Sequence, residues 1–379
     1  MISVARWVTA ILLLAWSSLA IAPAWSLPSW MFSVGAKEYG HWLALVSLLP
    51  LIGISRSHRH TIRLLAISLL STALFFSTAV RAAFFARNLP QQLRMAFGPV
   101  EAGRLLSPIP FSFPQLWIGH SGQPVTVEKQ VYAKREGKPL SLRFFPSPKA
   151  KAPCIVILHT GGWNRGTSDE FTPFSQLLAR NGYAVAAIEY RLAPDSIWPA
   201  QRDDTLEAIR YLKSHAAELS IDPTRLILLG RSAGGQIAEA VAYTANDPAI
   251  RGCIAFYAPA DMSYAYQFGR EDDMLKSPLL LRQFLGGSPA QASANYDSAS
   301  SIRYAGRQSP PTLLLHGAPD PLVWVRQSER LDRRLAEAGV AHYFVRVPWG
   351  THAFDFNLNG PGGQISTYAV GYFLAAVLK

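Results

Sequence analysis

The sequence predicts a doubly wound α/β domain, a mostly parallel sheet with helices on both faces, behind a region of apolar helices. Three observations carry this reading. From about Val125 onward, short apolar runs alternate with amphipathic segments of helical period. Most of those runs are unbroken Ile, Val and Leu, as in strands buried on both faces. Before about residue 95 the alternation is absent and three longer apolar stretches take its place.

Those stretches are 8–25, 39–54 and 64–80. A membrane helix needs roughly 20 apolar residues, or fewer when flanking side chains snorkel, so the first and third qualify as transmembrane helices. The second is short and contains Pro50; it reads as a span or as a buried or re-entrant segment. The first also reads as a cleaved signal peptide, because Arg6, an apolar core and Ala20, Ala22 and Ala24 fit that pattern. Up to Arg94 there are eight Lys or Arg against one acid, Glu38, which places +7 of the +11 formal charge in this region. The high pI therefore reports membrane-flanking arginines. No basic stripe interleaved with aromatics marks the rest, which excludes a nucleic-acid surface. Arg56, Arg59 and Arg63 before the third stretch balance Arg81, Arg87 and Arg94 after it. Arg6 and the amino terminus then favour an inside start, and three spans leave the large domain on the non-cytoplasmic side of the membrane.

Residues 96–124, rich in Pro, Gly and aromatics, read as a linker. The globular domain covers 125–379. Its expected strands are 125–132, 140–145, 154–159, 184–190, 226–230, 253–257, 312–316 and 342–347. The first two alternate and carry charge, as edge strands would. Helical patterns fall near 171–181, 199–219, 233–245, 325–338 and 365–378. Residues 261–310, with the acidic run Glu271-Asp272-Asp273, interrupt the alternation and are too long for a simple connection, so a helical insertion or lid is expected. Cys154 and Cys253 lie inside apolar runs and read as buried thiols.

Gly230-Arg231-Ser232-Ala233-Gly234 follows directly on Leu226-Ile227-Leu228-Leu229. A G-x-S-x-G between a buried strand and a helix is a nucleophile elbow, with small residues flanking a turn that pushes the hydroxyl out of the sheet. An elbow serine needs a base, an orienting acid and donors for an oxyanion. In chain order, Asp320 and His352 follow expected strands and lie at their C-terminal ends, where open α/β sheets place their sites. Asp261, at another strand end, is the reserve acid. His159-Thr160-Gly161-Gly162-Trp163 offers two glycines whose amides can face a substrate carbonyl; with Ala233 they make an oxyanion hole of Gly161, Gly162 and Ala233. His159 and His316 read as loop-holding residues, and Asp203 and Asp204 as structural. No Cys/His cluster has metal spacing and no dinucleotide or P-loop fingerprint is present, so neither metal nor cofactor is expected.

These motifs resemble the hormone-sensitive-lipase-like and acetyl-esterase branch of the α/β-hydrolases, and the related kynurenine-formamidase-like esterases. The matching residues are His159-Thr160-Gly161-Gly162, Tyr190-Arg191-Leu192-Ala193-Pro194, Trp198-Pro199-Ala200, Asp203, Ser232-Ala233-Gly234-Gly235, the run from Pro311 to Gly317, and His352-Ala353-Phe354. The resemblance covers 125–379 and implies an α/β-hydrolase fold. Thr160 replaces the first glycine of the family's H-G-G-G loop, and Arg231 stands where the lipase-like branch often carries Asp, which leans towards the formamidase-like relatives.

The expected function is a membrane-anchored serine hydrolase of carboxylic esters, acting through Ser232, His352 and Asp320 on a small-molecule, lipid or glycan ester. An amidase with the same triad and a catalytically silent binding protein remain alternatives. A transport subunit is disfavoured because no Asp, Glu, Lys or Arg lies inside a span. The resemblance implies short to medium acyl chains. Trp163, Tyr190, Trp198, Tyr257, Tyr264 and Tyr266 are candidate pocket residues.

Overall fold

The computed structural model describes residues 4–52, 58–119 and 122–379. The N-terminal region forms α1 (Val4–Ser18), α2 (Leu27–Glu38), α3 (Gly40–Val46) and α4 (His58–Ala86), followed by α5 (Leu89–Phe97) and α6 (Phe113–Ile118). Among the described residues one helix, His60–Ala86, is long and apolar enough to cross a membrane. The first apolar stretch becomes a 15-residue helix, too short by that measure. The second is a seven-residue helix and a 3-10 turn at Leu49–Leu51, because Pro50 has no N–H to continue it. Gly53 and Ile54 of that stretch, and Arg56, lie outside the described residues.

All eight expected strands form: β1 (Glu128–Arg135), β2 (Lys138–Phe145), β3 (Ala152–Leu158), β4 (Ala184–Ile188), β5 (Ile221–Arg231), β6 (Ile250–Phe256), β7 (Thr312–Gly317) and β8 (His342–Val347). They make one sheet in the order β1-β2-β4-β3-β5-β6-β7-β8, antiparallel at β1–β2–β4 and parallel elsewhere. β2 corrects the expectation of two edge strands. Glu136 and Gly137 both take positive φ, and this tight hairpin lays β1 along the outside of β2. Leu140, Leu142, Phe144 and Phe145 are buried as a result.

The helices of this domain are α7 (Thr172–Arg180), α8 (Ala200–Ser214), α9 (Ala233–Thr244), α10 (Met262–Phe268), α11 (Ser277–Leu285), α12 (Ser293–Ala299), α13 (Arg326–Glu337) and α14 (Pro361–Val377). The two faces of the sheet make two cores, with side chains of each strand alternating between them. Cys154, Val156, Leu158, Leu226 and Leu228 join α8 and α9 on one side. Ile155, Ile157, Ile227 and Leu229 join α7 and α14 on the other. Helices α10, α11 and α12 lie between β6 and β7, within 261–310. Cys154 and Cys253 are free and buried.

Residues 96–124 are not a free linker. Leu106, Phe111 and Leu116 are buried in the α14-side core, together with Ala79 and Ala82 of α4 and Leu89 and Leu93 of α5. Arg104 donates to the Leu378 carbonyl at 2.8 Å, and the Ser112 N–H donates to Gln364 at 2.7 Å. Apolar residues spaced through a Pro-rich segment were enough to dock it.

Candidate active site

The elbow is built by sterics. Ser232 sits between β5 and α9 at φ 52° and ψ −120°, a conformation that side chains rarely adopt and that costs of order 1–3 kcal/mol. Its N–H donates to the Phe256 carbonyl at 2.9 Å, so β6 holds the turn. A Cβ at Gly230 would strike the Gly234 carbonyl, and one at Gly234 would strike the carbonyl oxygens of Leu158 and His159. Only glycine fits at either position.

Asp320 and His352 leave the C-terminal ends of β7 and β8 and meet. His352 Nδ1 lies 2.7 Å from Asp320 Oδ2, with both residues buried. Asp320 Oδ1 accepts the N–H groups of Leu322 and Val323 at 2.8 and 3.0 Å. His316 Nε2 stands 3.3 Å from Oδ2 and 2.9 Å from the Val323 carbonyl, while its Nδ1 lies 2.7 Å from Ser328 Oγ. Burial by itself would raise the Asp320 carboxyl, but His352 and His316 outweigh it and hold the group well below the usual carboxylate range. An ionised Asp320 takes the Nδ1 proton of His352 as its hydrogen bond and leaves Nε2 as the basic nitrogen.

The loop after β3 carries three consecutive positive φ angles, at Gly161 (106°), Gly162 (59°) and Trp163 (62°). A Cβ at Gly161 would strike the Arg165 carbonyl. Thr160 is absorbed by a local bond, its N–H and hydroxyl both donating to Glu170 Oε2 at 3.0 and 2.8 Å. Trp163 is fixed by Gln236 of α9 at 3.0 Å and by stacking on Phe284 of α11 at 4.2 Å. Ala233 is the first residue of α9, where an amide has no partner within its helix.

Arg231 explains its own departure from the usual elbow. It is buried, and its Nε donates to Asp355 Oδ2 at 2.6 Å. Asp355 Oδ1 accepts from Tyr257 Oη at 2.7 Å, and the Tyr257 ring packs 4.3 Å from that of His352. The guanidinium also lies over Phe171 at 3.9 Å and Phe256 at 4.5 Å. This chain of contacts ties the elbow to the histidine loop. Sequence reasoning missed Asp355, although it lies three residues beyond His352.

Several expected residues stand elsewhere. His159 bonds the Thr160 carbonyl at 2.8 Å and stacks on Tyr190 at 4.0 Å. Asp261 caps α10 and pairs with Arg330 at 2.7 Å. Asp204 binds Arg191 through its backbone and guanidinium. Tyr190, Trp198 and Tyr257 are core residues, not pocket walls. A groove beside the glycine loop is lined by Trp163, Tyr264, Phe268, Leu280, Leu322 and Trp324. Among the described residues no group of three or more His, Cys, Asp or Glu is arranged to hold a metal.

The chain resembles known esterases over this domain. It is 28% identical over 242 residues to the "Probable carboxylic ester hydrolase LipM" of Mycobacterium tuberculosis, covering 60% of this chain and 54% of that one. It is 29% identical over 260 residues to the "Ethyl acetate hydrolase" of Pseudomonas putida, covering 63% and 79%. The chain therefore spans about half the length of the mycobacterial relative. The crystal structure of esterase LipW from Mycobacterium marinum matches with a TM-score of 0.58 at 24% identity, over 78% of this chain and 90% of that one, which shows the α/β-hydrolase fold. The BD-FAE family model matches residues 142–335, just over half of the chain. With the eight-stranded sheet and the elbow in place, the chain belongs to the BD-FAE family of α/β-hydrolases.

Proposed function

We propose that this protein is a membrane-anchored serine hydrolase that cleaves carboxylic esters. The observation that carries the reading is the strained Ser232 on its strand–helix turn, with the buried His352–Asp320 pair at neighbouring strand ends. In this reading Ser232 Oγ attacks the ester carbonyl while His352 Nε2 takes its proton. The amides of Gly161, Gly162 and Ala233 face the oxyanion. His352 then returns the proton to the leaving alcohol, and water releases the acid by the same route. The esterase relatives support the reaction class, and the preference for short to medium acyl chains rests on the family resemblance alone.

The anchoring part of the proposal rests on α4 and on the apolar side chains that α1 and α4 leave exposed, among them Leu12, Ile62, Leu65 and Leu69. In this reading the active domain lies on the non-cytoplasmic side, as Arg6 and the amino terminus favour. The test is fluorophosphonate labelling of detergent-solubilised protein, wild type beside Ser232→Ala. Labelling is expected in the wild type only, with ester turnover in the variant reduced by about 10⁴-fold or more. A Ser232→Ala protein that keeps its turnover would sink the assignment. Release into the soluble fraction by alkaline carbonate would sink the anchor.

A further inference from the structure

We propose that the N-terminal helices position His352: α2, seated on residues 348–360, fixes the histidine loop through Trp30 and Glu38. The proposal rests on the triad reading above and gives the apolar region a positioning role in the active site besides its role as an anchor.

Residues 348–360 join β8 to α14 without regular secondary structure of their own. Four hydrogen bonds from the N-terminal region hold this loop and the helix start beyond it. Arg81 donates to the Pro348 carbonyl at 2.9 Å, and Trp30 Nε1 donates to the His352 carbonyl at 3.0 Å. Asn357 Nδ2 donates to the Glu38 carbonyl at 3.0 Å, and the Gly362 N–H donates to Glu38 Oε2 at 2.9 Å. The Trp30 indole also lies edge-on to the imidazole at 6.4 Å. His352 is thus held at two points, its ring by Asp320 and its backbone carbonyl by Trp30.

Glu38 does for α14 what a capping residue does, from 324 positions away in the chain. The first N–H groups of a helix lack intrahelical partners, and a carboxyl oxygen can accept from one of them. The side chain is fully buried. A Cβ on Gly362 would lie 2.8 Å from Glu38 Oε1, so glycine is what admits the carboxyl.

The helix that delivers these groups is itself fixed. Ser33 of α2 donates to the Leu19 carbonyl at 3.2 Å, and Thr78 of α4 donates to the Lys37 carbonyl at 2.9 Å. Just beyond α2, a Cβ on Gly40, the first residue of α3, would strike the Phe75 carbonyl of α4, which shows how closely the chain at the α2–α3 junction approaches α4. A rigid helix pair therefore sets the backbone of the general base, and misplacement of a catalytic group by about 1 Å can cost about 100-fold in rate.

The experiment uses the full chain in detergent with a small soluble ester. Trp30→Phe keeps an aromatic ring but removes the N–H donor together with the five-membered ring that carries it. Glu38→Ala removes the cap, and Glu38→Gln keeps an oxygen for the Gly362 N–H. Trp25→Phe, at an exposed side chain, is the control. We expect kcat and the fluorophosphonate labelling rate to fall about three- to tenfold in Trp30→Phe with KM unchanged. Glu38→Ala is expected to lose at least as much, Glu38→Gln to recover most of it, and Trp25→Phe to match the wild type. Wild-type kcat in Trp30→Phe and Glu38→Ala, or a change confined to KM, overturns the proposal. Should Glu38→Ala not fold, Trp30→Phe decides alone. A normal Trp30→Phe rate beside an inert Ser232→Ala removes only the positioning role. A wild type that does not label removes the triad reading as well.

Discussion

The elbow and the histidine loop are neighbours in the site, yet they are held in opposite ways. Ser232 is fixed by groups within a few positions of it and by the adjacent strands: two glycines that admit passing carbonyls, and one bond from its N–H to β6. The histidine loop makes turn bonds of its own, among them Phe354 N–H to the Thr351 carbonyl and Phe356 N–H to the Ala353 carbonyl, but it is also held by distant partners, Arg231, Trp30 and Glu38. The difference teaches that a strained turn can be specified by a pentapeptide, whereas a loop that carries a buried histidine is placed in part by what packs around it. Strain needs only short-range crowding; an irregular loop needs long-range hydrogen bonds to select one conformation.

Gly234→Ala attacks the local half of this comparison most directly. Its Cβ meets two backbone carbonyls that cannot rotate away, so a loss of about 5 kcal/mol or more is expected, read as failure to accumulate folded protein. A soluble, active Gly234→Ala enzyme would show that the elbow is not locked by sterics.

Arg231→Met tests the connection between the two halves. It leaves the buried Asp355 carboxylate with Tyr257 alone, an uncompensated charge expected to cost about 3 kcal/mol in denaturant unfolding. Replacing Asp355 by Leu in the same chain should recover much of that stability, as buried pairs exchanged together often do. Additive losses in the double variant would break the link between elbow and loop.

The smallest effects separate two buried carboxyls that flank the histidine loop. Asp320 is held below the usual range, so its contribution to stability is present above about pH 4 and is lost as pH falls through the folded value. Glu38 is pushed well above its ordinary value by burial, with Asp355 adding to the shift and the Gly362 N–H and Lys37 opposing it. The folded chain then keeps a proton that the unfolded chain has released, so stability falls as pH rises above about 4. Thermal midpoints across pH should show Glu38→Gln gaining on the wild type as pH rises, by about 2–4 °C. Asp320→Asn should instead lose the acid-range dependence that the wild type shows. Parallel pH curves for Glu38→Gln and the wild type would mean that Glu38 titrates normally.

Much of the fold was legible because periodicity is a local property. Strands buried on both faces read as unbroken apolar runs, and all eight were found within a few residues of their observed limits. The hairpin that turned β2 into an interior strand was not read, because edge and interior positions depend on which strand pairs outside. The apolar N-terminal stretches were read by composition alone, which could not show that Pro50 would break the second or that residues 96–124 would dock. In the site, the structure brought His352 and Asp320 together as the spacing suggested, while Tyr190, Trp198 and Tyr257 proved to be packing residues. Asp355 and Trp30 carried no signal, since an aspartate in a loop and a tryptophan in an apolar region are ordinary.

The sequence by itself determined the layered α/β architecture, the elbow and the strand ends that bear its partners, because alternation and turn sterics act between residues close in the chain. Tertiary structure alone decided that Glu38, the one acid in the N-terminal region, caps α14, that Arg231 is neutralised by Asp355, and that Trp30 reaches the His352 carbonyl. Buried polar groups must find partners wherever the chain brings them, and that choice follows from how surfaces pack, which no local pattern encodes.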